Sequence, residues 1–266
     1  MKRIVKALVS RWATWATANL SRGSRFLRGR RWFDVTRVEN VRGLPIRLSI
    51  SSEAELWRAL TYSTKEPETL EWIESFEPDD VLWDIGANVG LYSLFAAARH
   101  GVAFRVLSFE PDPFNFAQLC KNVFLNKLDQ RIEAFPVALS HRVGVSELGL
   151  QSMLAGAARQ EFATTGRTLT RDGLYRQRVV VLTLDELREG YHLPVPTHLK
   201  LDTDGAELDI LAGASAVLSG ASLRSVLVEV DEKVAGRVES VLGQFGFSVT
   251  ARHPHSAVAN YIFQRC

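Results

Sequence analysis

The stretch from Val81 to Ala98, Val-Leu-Trp-Asp-Ile-Gly-Ala-Asn-Val-Gly running on into Leu-Tyr-Ser-Leu-Phe-Ala-Ala-Ala, most restricts what this chain can fold into. Pro78-Asp79-Asp80 precede a short apolar run that reads as a fully buried strand. Asp84 closes the strand, a turn containing Gly86 and Gly90 follows, and helical spacing begins beyond it. In an open α/β sheet, a loop leaving the carboxyl end of a strand and entering a helix is where ligands bind.

The acid bears on which ligand. A dinucleotide fold uses G-x-G-x-x-G so that backbone can approach a pyrophosphate over a helix N-terminus. Here the glycines are spaced Gly86-x-x-x-Gly90, with a carboxylate two residues before the first. Asp84 would repel a pyrophosphate and attract an ammonium group. S-adenosylmethionine carries that ammonium and a sulfonium, and no phosphate. The alternative is that the glycines serve only a tight strand-to-helix turn.

Ala103 to Phe109 reads as the second strand and ends at Glu110, 24 residues after Gly86. At that distance βαβ geometry places an acid beside a bound ribose, whose two hydroxyls can both donate to one carboxylate. Asn88 in the glycine turn, Pro111 after Glu110, Ala138 at the end of a third strand (Arg131 to Val137) and Glu66 ahead of the first strand complete the expected cofactor contacts. Further strands are expected at Thr197–Leu201 and Arg224–Val230, and an antiparallel pair at Phe247–Ala251 and Val258–Phe263. Seven strands alternating with helices make a doubly wound α/β sheet, mostly parallel with an antiparallel last strand. Val143–Leu150 and Arg178–Leu182 alternate as a hairpin or edge extension. Between them Gln151–Tyr175 has no clean period and reads either as a substrate-side loop or as disorder. Thr183 and Glu186 form a capping box for a short helix.

Charge divides the chain. Residues 1–42 carry eleven Lys/Arg against two acids, a net of +9, which leaves −7 for the remainder of a chain totalling +2. Residues 1–45 are therefore expected as a basic segment and linker, and 46–266 as the catalytic domain. Ile4, Leu8, Trp12 and Trp15 share a helical face, so residues 2–20 suit either peripheral contact with a membrane or packing on protein. Ser21–Arg31 reads as a loop or linker. No apolar run is long enough to cross a bilayer, and the N-terminus lacks a signal peptide's uninterrupted apolar region, which gives a cytoplasmic expectation. Cys120 and Cys266 make neither a disulfide framework nor a metal-ligand spacing.

Five motifs in this order and spacing resemble those of the FkbM-type S-adenosylmethionine-dependent methyltransferases. They are Asp84-Ile85-Gly86-Ala87-Asn88-Val89-Gly90, Phe109-Glu110-Pro111, Ala138-Leu139-Ser140, Thr183-Leu184-Asp185, and Leu199 to Glu207 (Leu-Lys-Leu-Asp-Thr-Asp-Gly-Ala-Glu). The resemblance runs from about Glu66 to the C-terminus. It implies a class I, Rossmann-like methyltransferase fold and O-methylation, often of sugar or polyketide hydroxyls. Asp204 departs from the family, which more usually has Glu before this glycine.

Methyl transfer is an in-line displacement at a carbon already activated by the sulfonium, so the protein must align the acceptor and exclude water. An alcohol acceptor also needs a base. Asp202 and Asp204 at the fourth strand's end are the candidates, with Lys200 on the same strand face as a partner tempering Asp202. Glu207 sits in the first turn of the next helix, where an acid also complements the dipole. The three acids could instead hold Mg²⁺, although nothing requires a metal. Glu229 at the next strand end reads as an acceptor contact or a satisfied buried carboxylate, and His198 as a packing residue. The rival functions are an RNA or other nucleic-acid methyltransferase, which the acidic body opposes, a nicotinamide dehydrogenase, which Asp84 and the missing third glycine oppose, and a non-catalytic interaction module that keeps the fold.

Overall fold

A computed structural model describes residues 35–158, 161–162, 175–255 and 258–266. The basic segment expected over 2–20, its linker, and residues 163–174 of the insertion lie outside the described residues. The chain enters with a hairpin of β1 (Val35–Val41) and β2 (Leu44–Ile50), then α1 (Glu53–Thr61) and α2 (Pro67–Glu74). Strands β3 (Val81–Ile85), β4 (Arg105–Phe109) and β5 (Ile132–Phe135) alternate with α3 (Leu91–Arg99) and α4 (Pro113–Asn126). Four strands follow, β6 (Ala138–Leu139), β7 (Gly144–Leu150), β8 (Glu161–Phe162) and β9 (Tyr175–Leu182). The chain then runs through α5 (Leu184–Glu189), β10 (His198–Leu201), α6 (Glu207–Ala212), α7 (Ser215–Ser219), β11 (Ser225–Asp231), α8 (Ala235–Gly243), β12 (Phe247–His255) and β13 (Val258–Arg265).

The main sheet has seven strands in the order β12-β13-β11-β10-β3-β4-β5. The pairs β11–β10, β10–β3, β3–β4 and β4–β5 are parallel, and β13 runs antiparallel to both its neighbours. This is the doubly wound α/β sheet expected from the sequence, with one antiparallel strand. Each face is buried under its own apolar layer. One centres on Trp83, Phe109, Leu199, Leu201 and Val228 against α5 to α8, the other on Leu82, Val106, Phe95, Leu119 and Ile73 against α2, α3 and α4. Parallel strands covered on both faces are apolar at consecutive positions rather than alternate ones, which is why Val81–Ile85 shows no period of two.

The chain departs from its sequence reading in three places. β1 was not anticipated. Val35 and Val38 are exposed and only Val41 is buried, so the strand lacks an apolar face to announce it, and the boundary expected at residue 45 falls inside the hairpin. The β7–β9 pair does not extend an edge of the main sheet. It belongs to a separate four-stranded sheet, ordered β6-β9-β7-β8, around Leu148, Leu150, Val179 and Val181. The single helix expected to start at Glu207 is two short helices separated at Gly213, where a Cβ would lie 2.4 Å from the Ser140 carbonyl oxygen.

Polar contacts, buried at Asn122 and exposed at Asn126, tie the N-terminal hairpin to α4. The Ser49 amide donates to Asn122 Oδ1 at 2.9 Å, and Asn122 Nδ2 donates to the Val89 carbonyl at 2.9 Å. Asn126 Oδ1 accepts from the Arg47 amide at 2.8 Å, and its Nδ2 donates to the Arg47 carbonyl at 2.7 Å. At the amino ends of the strands His198 bridges Ser225 Oγ at 2.7 Å and Asp80 Oδ2 at 2.9 Å, stacked on Phe76. Burial, with His100 nearby, pushes His198 down to about 3, so it is a neutral packing group.

Candidate active site

The cleft opens at the carboxyl ends of β3, β4, β10 and β11, where the strand order reverses about β3. It begins with the glycine turn. The Gly86 and Ala87 amides donate to the Phe109 carbonyl at 3.0 and 3.1 Å, which fastens the end of β3 to the end of β4. Gly86 has φ +80°, and a Cβ there would lie 1.8 Å from the Asp202 carbonyl oxygen. Only glycine fits both the left-handed backbone and that approach.

Glu110 leaves the end of β4 with its carboxyl buried. Oε2 accepts from the Asn88 amide at 2.8 Å and Oε1 from the Asp112 amide at 2.9 Å. Burial pushes the group up to about 8, against the backbone donors that favour its ionised form. Asp112 then caps α4 by accepting from the Phe114 amide at 2.8 Å, with Pro113 in the first turn. Acid, turn and helix start are thus one continuous device.

The beginning of the insertion is stapled across this end of the cleft. The Ser52 hydroxyl donates to the Ala155 carbonyl at 2.7 Å and Arg58 Nε to the Gly156 carbonyl at 2.9 Å. The Gly156 amide donates to Asn115 Oδ1, and Asn88 Nδ2 to the Ala157 carbonyl, both at 2.8 Å. Ala158 and Phe162 line the cleft beyond.

The space within the cleft, open solvent included, is about 890 Å³. Its apolar end is built from Phe109, Val137, Ala138, Leu139, Leu148 and Phe162. Gly86, Asn88, Glu110 and Pro111 line its middle, and Asp202, Asp204 and Glu229 its polar end. Arg58, Lys65, Gly86, Asn88 and Asp202 also line a smaller extension whose walls include Tyr62, Tyr92 and Lys200, so the two spaces are continuous.

The polar end holds a charge cluster. Lys200 is buried and donates from Nζ to Asp202 Oδ2 at 2.9 Å; Asp84 Oδ1 lies 4.0 Å away, and the ammonium sits 4.9 Å from the centre of the Tyr92 ring. Burial opposes the charge of Lys200, but Asp202, Asp84 and Glu66 outweigh it and raise the group. Asp202, resisted by burial, is drawn down to about 2 by Lys200 and Lys65. Its neighbour Glu229 goes the other way, to about 9, because of the Asp202 charge and then burial. Glu66 is buried, paired with Lys65 Nζ, and held below its ordinary range; Lys65 and Lys200 outweigh burial and Asp202.

Three of the expected cofactor contacts stand elsewhere. Asp84 does not line the cleft. It is 1 % exposed, accepts from the Ser93 hydroxyl, and has no hydrogen bond to Oδ1. In register it faces Lys200 across β3 and β10, one pleat below the level of Gly86 and Asp202. Burial, relieved by Lys200, raises its carboxyl. Gly90 does not line the cleft either. It starts α3 at φ +84°, and a Cβ would meet Leu119 Cδ1 of α4 at 2.3 Å, so it serves helix packing. Glu66 lies behind Lys65 rather than on the wall. The Glu207 carboxylate turns into its own loop. Oε1 accepts from the Thr203 amide and hydroxyl and from the Gly205 amide at 3.1, 2.8 and 3.0 Å. Among the described residues no three His, Cys, Asp or Glu side chains converge as metal ligands. Arg58 and Lys65 were not read as site residues, because cations beside an exposed helix carry no sequence signal of their own.

An adenosyl group with an amino-acid tail matches this lining: an apolar end, a buried acid in the middle, and carboxylates beside cations at the far end. Strand order, cleft position and lining together define a class I S-adenosylmethionine-dependent methyltransferase. Residues 84–249 match the Methyltransferase FkbM domain, and the chain belongs to that family. It is 26% identical over 196 residues to the hexuronic acid methyltransferase AglP of Haloferax volcanii, covering 73% of each chain. It is 30% identical over 202 residues to the 31-O-demethyl-FK506 methyltransferase FkbM of Streptomyces tacrolimicus, covering 65% of this chain and 75% of that one. Among solved structures, an FkbM methyltransferase from Methylobacillus flagellatus KT aligns at 16% identity with a TM-score of 0.47, over 81% of this chain and 56% of that one.

Proposed function

We propose that this chain methylates a hydroxyl of a sugar or glycan, with S-adenosylmethionine held along the cleft from Ala138 to Asp202. The juxtaposition of a buried ribose-type acid, Glu110, with an acid-lined polar end in one continuous cavity carries the reading. Val137, Ala138 and Leu139 would wall the adenine and Glu110 would take the ribose hydroxyls. Asp202, backed by Glu66, would favour the ammonium, while Lys65 and the Arg58 guanidinium favour the carboxylate. When bound, the methyl donor supplies an electrophilic carbon. The acceptor oxygen bonds to it with a lone pair, the carbon–sulfur electrons stay on sulfur, and the hydroxyl proton leaves to a base. The chain's own tasks are to align that oxygen, keep water out and receive the proton. The hexuronic acid methyltransferase among its relatives supports a sugar acceptor.

Calorimetric titration with S-adenosylhomocysteine, wild type beside Glu110→Ala, tests the cofactor half. Binding in the wild type, weakened at least tenfold in the variant, is expected. A folded wild type that binds nothing would overturn the reading. Labelled methyl donor offered with neutral and uronic oligosaccharides tests the acceptor half, and incorporation only into acceptors lacking a sugar hydroxyl would refute it.

A further inference from the structure

Asp202 and Glu229 directly follow the register pair Leu201–Val228 on adjacent parallel strands and line one cavity, but they cannot both serve as the base in the same way. Asp202 is held through Oδ2 by the buried Lys200 ammonium. A carboxylate so stabilised is a poor proton acceptor. Glu229 stands at the end of the neighbouring parallel strand, lines the same cavity, and has no cation of its own in contact among the described residues.

Resting on the methyltransferase reading above, we propose that Glu229 takes the acceptor's proton, and that the positive charge of the incoming methyl donor is what frees it to do so. The groups around it set the balance. From β10 and the turn after it come Lys200, Asp202 and Asp204; from the segment before α2 come Lys65 and Glu66. On β13 the register partner of Glu229 is Asn260, which donates to Glu68, itself paired with His255. Negative charge dominates the near groups, so in the empty cleft Glu229 keeps its proton. A unit positive charge a few ångström away in a partly buried site weakens proton affinity by about a hundredfold. That change is enough to release the Glu229 proton to solvent near neutral pH.

The cycle then closes on itself. The acceptor hydroxyl gives its proton to the Glu229 carboxylate as its oxygen bonds to the methyl carbon, and the carbon–sulfur pair stays on sulfur. Loss of the sulfonium charge restores the high proton affinity of Glu229 at the moment the proton arrives. The carboxyl ends in its resting form beside a neutral thioether.

Proton release on ligand binding tests this without turnover. Binding enthalpies of S-adenosylmethionine and S-adenosylhomocysteine are measured near pH 7.5 in two buffers of different ionisation enthalpy, for the wild type and for Glu229→Gln. The wild type is expected to release a substantial fraction of a proton with the sulfonium ligand and markedly less with the thioether. Glu229→Gln should bind both ligands, lose that difference, and transfer methyl at least a hundredfold more slowly with little change in cofactor KM. Equal release with both ligands in the wild type would overturn the inference while leaving the methyltransferase reading intact. So would an unchanged difference in Glu229→Gln. Failure of the folded wild type to bind either ligand would remove both.

Discussion

Asp84 and Asp202 are both acids at strand ends, yet only one reaches the cleft. The difference is a single pleat: Asp84 pairs in register with Lys200, while Asp202 stands two residues further along the same face, level with Gly86. That approach makes Gly86 the most exacting position in the turn. Gly86→Ala would force a Cβ to 1.8 Å from a carbonyl oxygen at φ +80°, so a stability loss of about 2 kcal/mol or more is expected, with loss of S-adenosylhomocysteine binding. Chemical denaturation and titration would check both, and near-wild-type values would show that the β3 and β10 ends part easily. The raised carboxyls make a second prediction. Glu110 and Glu229 hold protons in the folded, ligand-free protein up to about 8 and about 9, whereas unfolded they release them near the ordinary value. Their stabilising contribution is complete below the unfolded pKa and is lost as pH rises through the folded values. The melting temperature should therefore fall between pH 6 and 9, and less steeply in Glu229→Gln.

At the scale of elements, two side chains hold the cleft from outside it. Asn122 joins β2 to the glycine turn, and Asn122→Ala removes its buried hydrogen bonds to the Ser49 amide and the Val89 carbonyl. A loss of about 1–3 kcal/mol in unfolding free energy is expected from denaturant titration. Glu207 gathers three donors from its loop, so Glu207→Ala should raise acceptor KM more than it raises cofactor KM; an equal rise in both would place the loop on the cofactor instead. The main strands were readable because Val81–Ile85 and Arg224–Val230 are short apolar runs closed by acids, and α4 because Asp112-Pro113 starts it. β1 was not, since a surface hairpin with one buried valine leaves no period. Nor could the sequence say which face of β3 its terminal acid would choose, because a strand buried on both sides has no alternation to read. Glu229 could be named as a strand-end acid, but its tie to Asp202 depends on two parallel strands far apart in the chain becoming neighbours.

The main sheet has both of its faces covered, so binding has to happen at its rim, under the staple formed by residues 155–157. Ligand binding there should spread outward. At a hundredfold excess over Kd, S-adenosylhomocysteine adds about 2.7 kcal/mol to unfolding. Exchange of the Gly156 amide, which is bonded to Asn115, should slow in the same complex. Unchanged exchange at Gly156 would mean that the staple stays shut or open regardless of the ligand. Among the described residues no helix is long and apolar enough to cross a membrane.

The position of β13 has a consequence for how the chain is made. It follows β11 and β12 in sequence, but it lies between them, and both are synthesised before it. Until it leaves the ribosome, those two strands face a gap the width of one strand, with hydrogen-bonding edges on either side and the floor of the charge cluster supported from one direction only. A nascent chain stalled before Val258 therefore presents two open edges, a form that chaperones bind and that aggregates by strand exchange. The sheet closes only once Val258–Arg265 is made, and Glu229 is not set beside Asn260 until then.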